Sequence, residues 1–294
     1  METLIEKAQV LMEALPYIRK FSGKTIVIKY GGNAMLSEQL KEDFARNLVL
    51  LKCIGINPIV VHGGGPQIDE LMRRLGIKIQ FASGVRCTSP EAMEVVEMVL
   101  TGQINKDLVS LINHHGGKAI GLSGKDGDLI QAEKRYLGEN PFSGNNKGID
   151  IGLVGRVINI NTRVLELLDS DRFIPVIAPV GVGHDRTTYN INSDEVAGAV
   201  AAALRAEKLV YLTDVAGVYD KDEKILSSIS EERIQAMILE GTIAGGMLPK
   251  IQSCLYALRA GVNKAHIVDG RISHALLLEI FTDEGIGTEI VRSC

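Results

Sequence analysis

Two lysines stand where phosphate chemistry would use them. Lys29 closes the apolar, β-branched stretch Thr25–Lys29 just before Gly31 and Gly32, and Lys250 ends the glycine-rich run G-T-I-A-G-G-M-L-P-K. A third glycine turn, Gly63 to Gly65, joins a buried-strand pattern, Ile59–Val61, to a helical pattern, Pro66–Leu75, with apolar residues at Ile68, Leu71, Met72 and Leu75. Glycines at a strand end let backbone N–H groups approach a ligand, and the helix behind them adds unpaired donors and a partial positive charge. Pro66 suits the first turn of that helix. Such a site wants an anion, phosphate above all; a tight turn without ligand, and a solvated strand-end lysine, are the ordinary alternatives. Phosphoryl transfer depends on stabilising charge more than on covalent participation, so glycine amides and two ammonium groups suffice in principle.

Several phosphate and nucleotide readings lose their support at once. No G-x-x-x-x-G-K-[ST] loop, no G-x-G-x-x-G turn and no H-R-D with D-F-G set is present. The 294 residues, 46% hydrophobic, suffice for one large domain or two lobes. A formal charge of -4 and a pI near 5.9 arise from interspersed charges without a basic stripe, which argues against a nucleic-acid partner. The four cysteines, Cys53, Cys87, Cys254 and Cys294, lack metal-ligand spacing and suit a reducing cytoplasm. No signal peptide is evident, and Val196–Leu204 is too short to span a bilayer.

The elements that must position these residues alternate along the chain. A helix over Thr3–Leu15 ends near Pro16; its apolar stripe reads as a lid on its own core rather than an appendage for another subunit. Helices are expected at Glu38–Leu51, Pro90–Val99, Asn105–His114, Thr162–Ser170, Asp194–Leu204, Glu231–Glu240, Lys250–Ala260 and Ser273–Phe281. Strands are expected at Ala119–Leu122, Ile174–Ala178, Leu209–Thr213, Lys264–Val268 and Thr288–Val291. This rhythm predicts a largely parallel open sheet with helices on both faces. Asp128–Ile160, polar from Asn140 to Gly148, reads as a surface hairpin excursion. The Asp126–Gly127–Asp128 cluster lacks the remaining ligands of a calcium loop and reads as a turn. Asn192 or Ser193 can cap the helix of small residues that follows, and Asp214, Gly217 and Asp220 lie at a strand's carboxyl end, the usual nucleotide crevice. A soft boundary falls near Ala178–Gly183.

Six ordered motifs carry a family resemblance: K-Y-G-G-N from Lys29, V-V-H-G-G-G-P through Pro66, S-G-V-R ending at Arg86, N-I-N-S-D from Asn190 to Asp194, L-T-D-V-A-G-V from Leu212, and G-G-M-L-P-K ending at Lys250. Together they resemble the amino-acid kinases, in particular the branch acting on N-acetyl-L-glutamate, from about Tyr17 to Ile290. The resemblance implies a three-layer αβα sandwich. It further implies an N-terminal extension over 1–20, a lobe over 21–180 for acyl-amino-acid binding and dimerisation, and a lobe over 181–294 for ATP and an arginine regulatory site. Gly64 and Gly65 would contact the substrate, Gly32 and Gly65 amides would face the moving phosphoryl, and Arg86 would clamp the α-carboxylate with its planar fork. Asn190 would hold the acetamido end. Lys29 and Lys250 would neutralise the phosphates, oriented by Asp194, while Asp214 and Gly217 would lie at the adenosine. A surface ion pair for Arg86, a turn role for Asn190 and an early-helix carboxylate for Asp194 are the plainer alternatives. Magnesium would ride on the phosphate oxygens, with no dedicated protein metal site. A substrate carboxylate, ionised at neutral pH, needs no general base, which leaves His62, His114, His115 and His184 structural.

Members inhibited by arginine carry an N-terminal helix that interlaces dimers into a homohexamer, and Met1–Lys20 resembles it. The A-H-I-V-D-G-R and L-L-E-I-F-T-D-E-G-I-G-T runs resemble the inhibitor site, with Glu279 facing a guanidinium and Tyr17, Lys208, His266 and Gly285 around it; a solvated helix face is the alternative for Glu279. Kinases for glutamate, aspartate, carbamate or uridylate, a non-catalytic amino-acid sensor and a nicotinamide-dependent dehydrogenase are the rival readings. Neither a membrane partner nor a nitrogen-signalling protein finds support in the sequence.

Overall fold

In the computed structural model, residues 2–35, 37–138, 148–282 and 285–292 are described. Among the described residues, eight strands form the central sheet in the order Ser228–Ser230, Thr288–Val291, Lys264–Asp269, Lys208–Thr213, Thr25–Tyr30, Asn57–His62, Ile174–Ile177, Ala119–Leu122. All neighbours run parallel except Lys264–Asp269 against Thr288–Val291. The central strands are buried on both faces, and alternation divides their side chains between two cores. Ile26, Ile28 and Tyr30 join one core with the helices Glu38–Cys53, Asn105–His114 and Ala275–Phe281. Val27, Val61, Leu209 and Tyr211 join the other with Ser193–Leu204 and Met247–Arg259. This is the three-layer αβα architecture.

The parallel register sets the site. Lys29 stands opposite both Val61 and Tyr211, and Tyr30 opposite both His62 and Leu212. Three neighbouring strands therefore end together, and the turns after Tyr30 and His62 and the loop at Asp214 emerge side by side.

Several expectations are corrected. The first helix runs through Pro16, from Glu2 to Phe21. Proline removes a hydrogen bond and crowds the preceding turn, but the turn beyond it is anchored: Tyr17 packs edge-on to Phe281, ring centroids 6.4 Å apart, and Phe21 is buried. Nor is the helix a lid, because Ile5, Val10, Leu11, Met12 and Leu15 are all exposed. The helices expected at Pro90–Val99 and Asn105–His114 are one continuous segment, joined by a π-helical stretch at Met98–Ile104. The last helix starts at Ala275 rather than Ser273, whose hydroxyl donates to Asp43 across the fold at 2.6 Å instead of capping.

The excursion is a hairpin, Ile130–Leu137 against Ile149–Ile160, but more than a surface loop. With Val180–Val182 and Thr188–Asn190 its strands close into a four-stranded ring that buries Ile130, Ala132, Ile151 and Val154. Its tip at 139–147, like Cys294, lies outside the described residues. The Asp126 cluster is a 3-10 turn, its carboxylate accepting from the Ser123 amide at 2.6 Å and the Ser123 hydroxyl at 2.9 Å.

Candidate functional site

Asp194 lies in the first turn of Ser193–Leu204, and the helix start is defined by Asn192, whose side-chain oxygen accepts from the Asp194 amide at 2.8 Å. Asn192 rather than Ser193 is thus the cap. Lys29, from the end of its strand, brings Nζ to 3.1 Å of Asp194 Oδ1; Lys250, in the first turn of Met247–Arg259, brings its own to 2.9 Å of Oδ2. Two ammonium groups from opposite ends of the chain bracket one carboxylate, and all three side chains are largely buried. Burial works against charge on Asp194, but Lys29 and Lys250 outweigh it and hold the carboxyl below the usual carboxylate range. Two cations against one anion leave a surplus of positive charge, which suits an anionic group.

The glycine turns abut this cluster. A Cβ on Gly31 would meet Lys29 Nζ at 2.5 Å, and one on Gly63 would meet Ser193 Oγ at 3.5 Å and the Gly31 Cα at 3.7 Å. Gly32, at φ 69, lies against Asp214 in a left-handed conformation that favours glycine. His62 supports the second turn from beneath: its Nδ1–H donates to the Gly63 carbonyl at 2.9 Å and its Nε2 accepts from Asn105 at 3.2 Å. Burial pushes the His62 pKa down to about 4, so the ring is neutral and this tautomer is held. Gly217 packs against the last strand, where a Cβ would meet Thr288 Oγ1 at 2.5 Å.

A cavity of about 280 Å³ opens beside the cluster, lined by Gly63, Gly64, Gly65, Arg86, Asn190 and Asp194 among others. Arg86 is no surface ion pair: only 9% of its side chain is exposed, its guanidinium lies 2.6 Å from Asp69 Oδ1 and over the Phe81 ring. Asn190 donates to Thr88 Oγ1 at 3.2 Å. Sequence reasoning missed Arg135, which lines the same cavity and ion-pairs with Glu195 at 3.2 Å. Nothing near Arg135 in the chain signals this, since closure of the four-stranded ring brings it there.

The other predicted residues meet at the amino end of the sheet. Tyr17, Lys20, Lys208, His266, Glu279 and Gly285 line a separate cavity of about 570 Å³. Lys208 donates to His266 Nε2 at 3.2 Å, and His266 Nδ1–H donates to Glu279 at 2.6 Å. The Ile286 and Gly287 amides donate to the other Glu279 oxygen at 2.8 and 3.2 Å. Glu279 is therefore buried rather than on a solvated face. Burial opposes its charge, but His266, the Ile286 amide and Lys208 prevail and lower its pKa, while burial lowers that of Lys208. Among the described residues, no group of three or more His, Cys, Asp or Glu could hold a metal ion.

Comparison with known proteins follows the same lines. A model of the amino acid kinase family matches residues 24–269. Acetylglutamate kinase from Geobacter sp. (strain M21) is 60% identical over 290 residues, 99% of each chain. The N-acetylglutamate synthase from Neisseria gonorrhoeae, solved with coenzyme A and N-acetyl-glutamate, is similar with a TM-score of 0.84 and 26% identity. That match covers 98% of this chain and 64% of the synthase, just under two thirds of its length. Carbamate kinase from Giardia lamblia bound to AMP-PNP shares the fold, with a TM-score of 0.65 and 18% identity over 92% of this chain and 99% of that one.

Proposed function

The chain belongs to the amino acid kinase family and is a kinase, and from that premise we propose that it transfers the γ-phosphoryl group of ATP to the side-chain carboxylate of N-acetyl-L-glutamate. The products are N-acetyl-L-glutamyl 5-phosphate and ADP, as a step of arginine biosynthesis in the cytoplasm. The observation that carries this reading is the pair of buried ammonium groups on Asp194, set among glycine turns, with Asp194 itself lining a cavity of small-molecule size. The full-length relative named acetylglutamate kinase supports the choice of acceptor.

Each residue then has a task. Arg86 exchanges part of its pairing with Asp69 for the α-carboxylate, Asn190 holds the acetamido end, and Gly64 with Gly65 admits the substrate backbone. Lys29 and Lys250 stabilise charge on the transferring group, Asp194 keeping both amines aimed, and Gly32 and Gly65 amides donate to its oxygens. Asp214 and Gly217 stand toward the nucleotide, so the lobe over 21–180 takes the acceptor and that over 181–294 takes ATP. Magnesium would be held mainly by phosphate oxygens, where it supplies further charge neutralisation. The acceptor carboxylate is ionised at neutral pH and needs no base.

ADP release measured over N-acetyl-L-glutamate, glutamate, aspartate, carbamate and uridylate should be fastest with the first. Faster turnover on any other acceptor overturns the assignment. Lys29→Ala and Lys250→Ala should each lower kcat by about 100-fold or more, and full turnover by folded variants would remove the proposed chemistry.

The second cavity supports inhibition by arginine. Glu279 offers a carboxylate to a guanidinium, with Lys208 set to meet the opposite, carboxylate end. The exposed apolar face of the first helix supports assembly into a homohexamer, a trimer of dimers.

A further inference from the structure

Behind Asp194 lies a hydrogen-bonded knot that the proposed chemistry does not itself use. Tyr211, the register partner of Lys29 on the adjoining strand, shares its face of the sheet. Its buried hydroxyl lies 2.8 Å from Ser253 Oγ and 3.0 Å from the Asp194 main-chain carbonyl oxygen. Ser253 donates to that same carbonyl at 2.6 Å. Ser253 stands one turn beyond Lys250 on the helix Met247–Arg259. That helix is therefore fastened to Asp194 twice, through Lys250 to the carboxylate at 2.9 Å and through Ser253 to the backbone.

Gly198 makes the second fastening sterically possible. A Cβ there would lie 2.1 Å from Ser253 Oγ and 3.0 Å from the Ser253 carbonyl oxygen, so only glycine lets the two helices approach this closely. A hydroxyl buried in an otherwise apolar contact contributes little to packing that alanine would not. It does fix direction, since an apolar contact alone would leave the helix free to slide or rotate slightly.

We propose that Ser253, backed by Tyr211, is a positioning residue for phosphoryl transfer: it fixes the helix at the setting where Lys250 meets Asp194 beside Lys29. The inference rests on the kinase reading above and deepens it. Removing the Ser253 hydroxyl does not orphan the buried groups, because the Tyr211 hydroxyl already lies within reach of the Asp194 carbonyl. Ser253→Ala therefore loosens the lysine without a large loss of stability.

Ser253→Ala should lower kcat about tenfold, a scale set by the sensitivity of transfer to sub-ångström placement, with KM for ATP and acceptor within about twofold and Tm nearly unchanged. Tyr211→Phe keeps the Ser253 fastening and should lose less than about threefold. A Ser253→Ala enzyme with kcat within about twofold of the parent, or with its loss entirely in KM, overturns the proposal. Labelling of the Lys250 amine by an acylating reagent, followed by peptide mass spectrometry, reads the same fastening without turnover. The Lys250 rate should rise several-fold in Ser253→Ala, and an unchanged rate overturns the proposal whatever the substrate. A parent enzyme inactive on every acceptor would instead defeat the kinase reading alone. If Ser253→Ala fails to fold, Ser253→Cys, which retains volume with a weaker bond, is measured for the same two outcomes.

Discussion

At the scale of single residues, the two glycines at the head of Gly65–Arg74 are small for different reasons. A Cβ on Gly64 would meet Ile104 Cδ1 at 2.5 Å and Leu100 Cδ2 at 2.7 Å, whereas one on Gly65 would meet nothing within 4 Å. Gly65 lines the cavity, so its bareness serves whatever enters there. Gly65→Ala should fold with an unchanged Tm yet lose about 10- to 100-fold in kcat/KM; an active variant would detach this turn from the reaction. His62 makes a pH prediction. Burial holds its folded pKa near 4 against an ordinary 6.5, so the unfolded chain takes up the proton first as pH falls. Stability is intact above pH 6.5 and declines toward pH 4, by up to about 1.4 kcal/mol per pH unit and about 3 kcal/mol in all. Denaturant midpoints at pH 7 and 4.5 should fall further apart in the parent than in His62→Gln, and equal spacing would exclude His62 as the source.

At the scale of elements, the site depends on where helices begin. The Asn192 cap sets the first turn that carries Asp194. Asn192→Ala should cost about 1 kcal/mol in urea unfolding and lower turnover as Asp194 shifts, while Asn192→Asp, which can still accept from the amide, should restore most of the stability. Equal stability in all three proteins would mean that the cap does not hold this helix. The π-helical stretch has a comparable task, since Leu100 and Ile104 within it close over Gly64, and Asn105 just beyond reaches His62. Wide turns of this kind recur at functional sites because they re-aim side chains that a regular helix would point elsewhere.

At the scale of the whole molecule, the two cavities lie at opposite ends of the same sheet, and the strand Lys208–Thr213 runs from the second, which Lys208 lines, to the end of the sheet where the glycine turns lie, with Asp214 just beyond it against Gly32. Arginine at millimolar concentration should raise Tm, because a ligand that binds only the folded state stabilises it, and should inhibit turnover; Glu279→Gln should abolish both effects. Inhibition unchanged by that substitution would move the effector elsewhere. The exposed Val10, Leu11 and Met12 make a separate prediction. Leu11→Glu should reduce a hexamer to dimers in light scattering while leaving turnover without arginine intact, and a hexamer that survives both this change and removal of residues 1–16 would rule out the helix as the contact.

Much of this was legible locally. The run Thr25–Lys29, the glycine turns and the helix at Asp194 are written in residue types a few positions apart, and short-range preferences for β-branched strands, glycine turns and capping side chains act over that distance. The motifs likewise named Lys29, Asp194 and Lys250 as candidates. That both amines close on one carboxylate was implied there only through the family resemblance; its physical cause is the pairing of Thr25–Tyr30 with Lys208–Thr213 and the helices packed across that pair. Tertiary packing also carried the first helix past Pro16, left its apolar stripe uncovered, and closed the hairpin into a ring that delivers Arg135 to the cavity. The sequence by itself determined most of the helices, turns and central strands and which side chains could do chemistry, since those depend on neighbours along the chain; only the tertiary structure decided the run of the first helix through Pro16, the short strands of the ring and which side chains meet, since those depend on neighbours across the sheet.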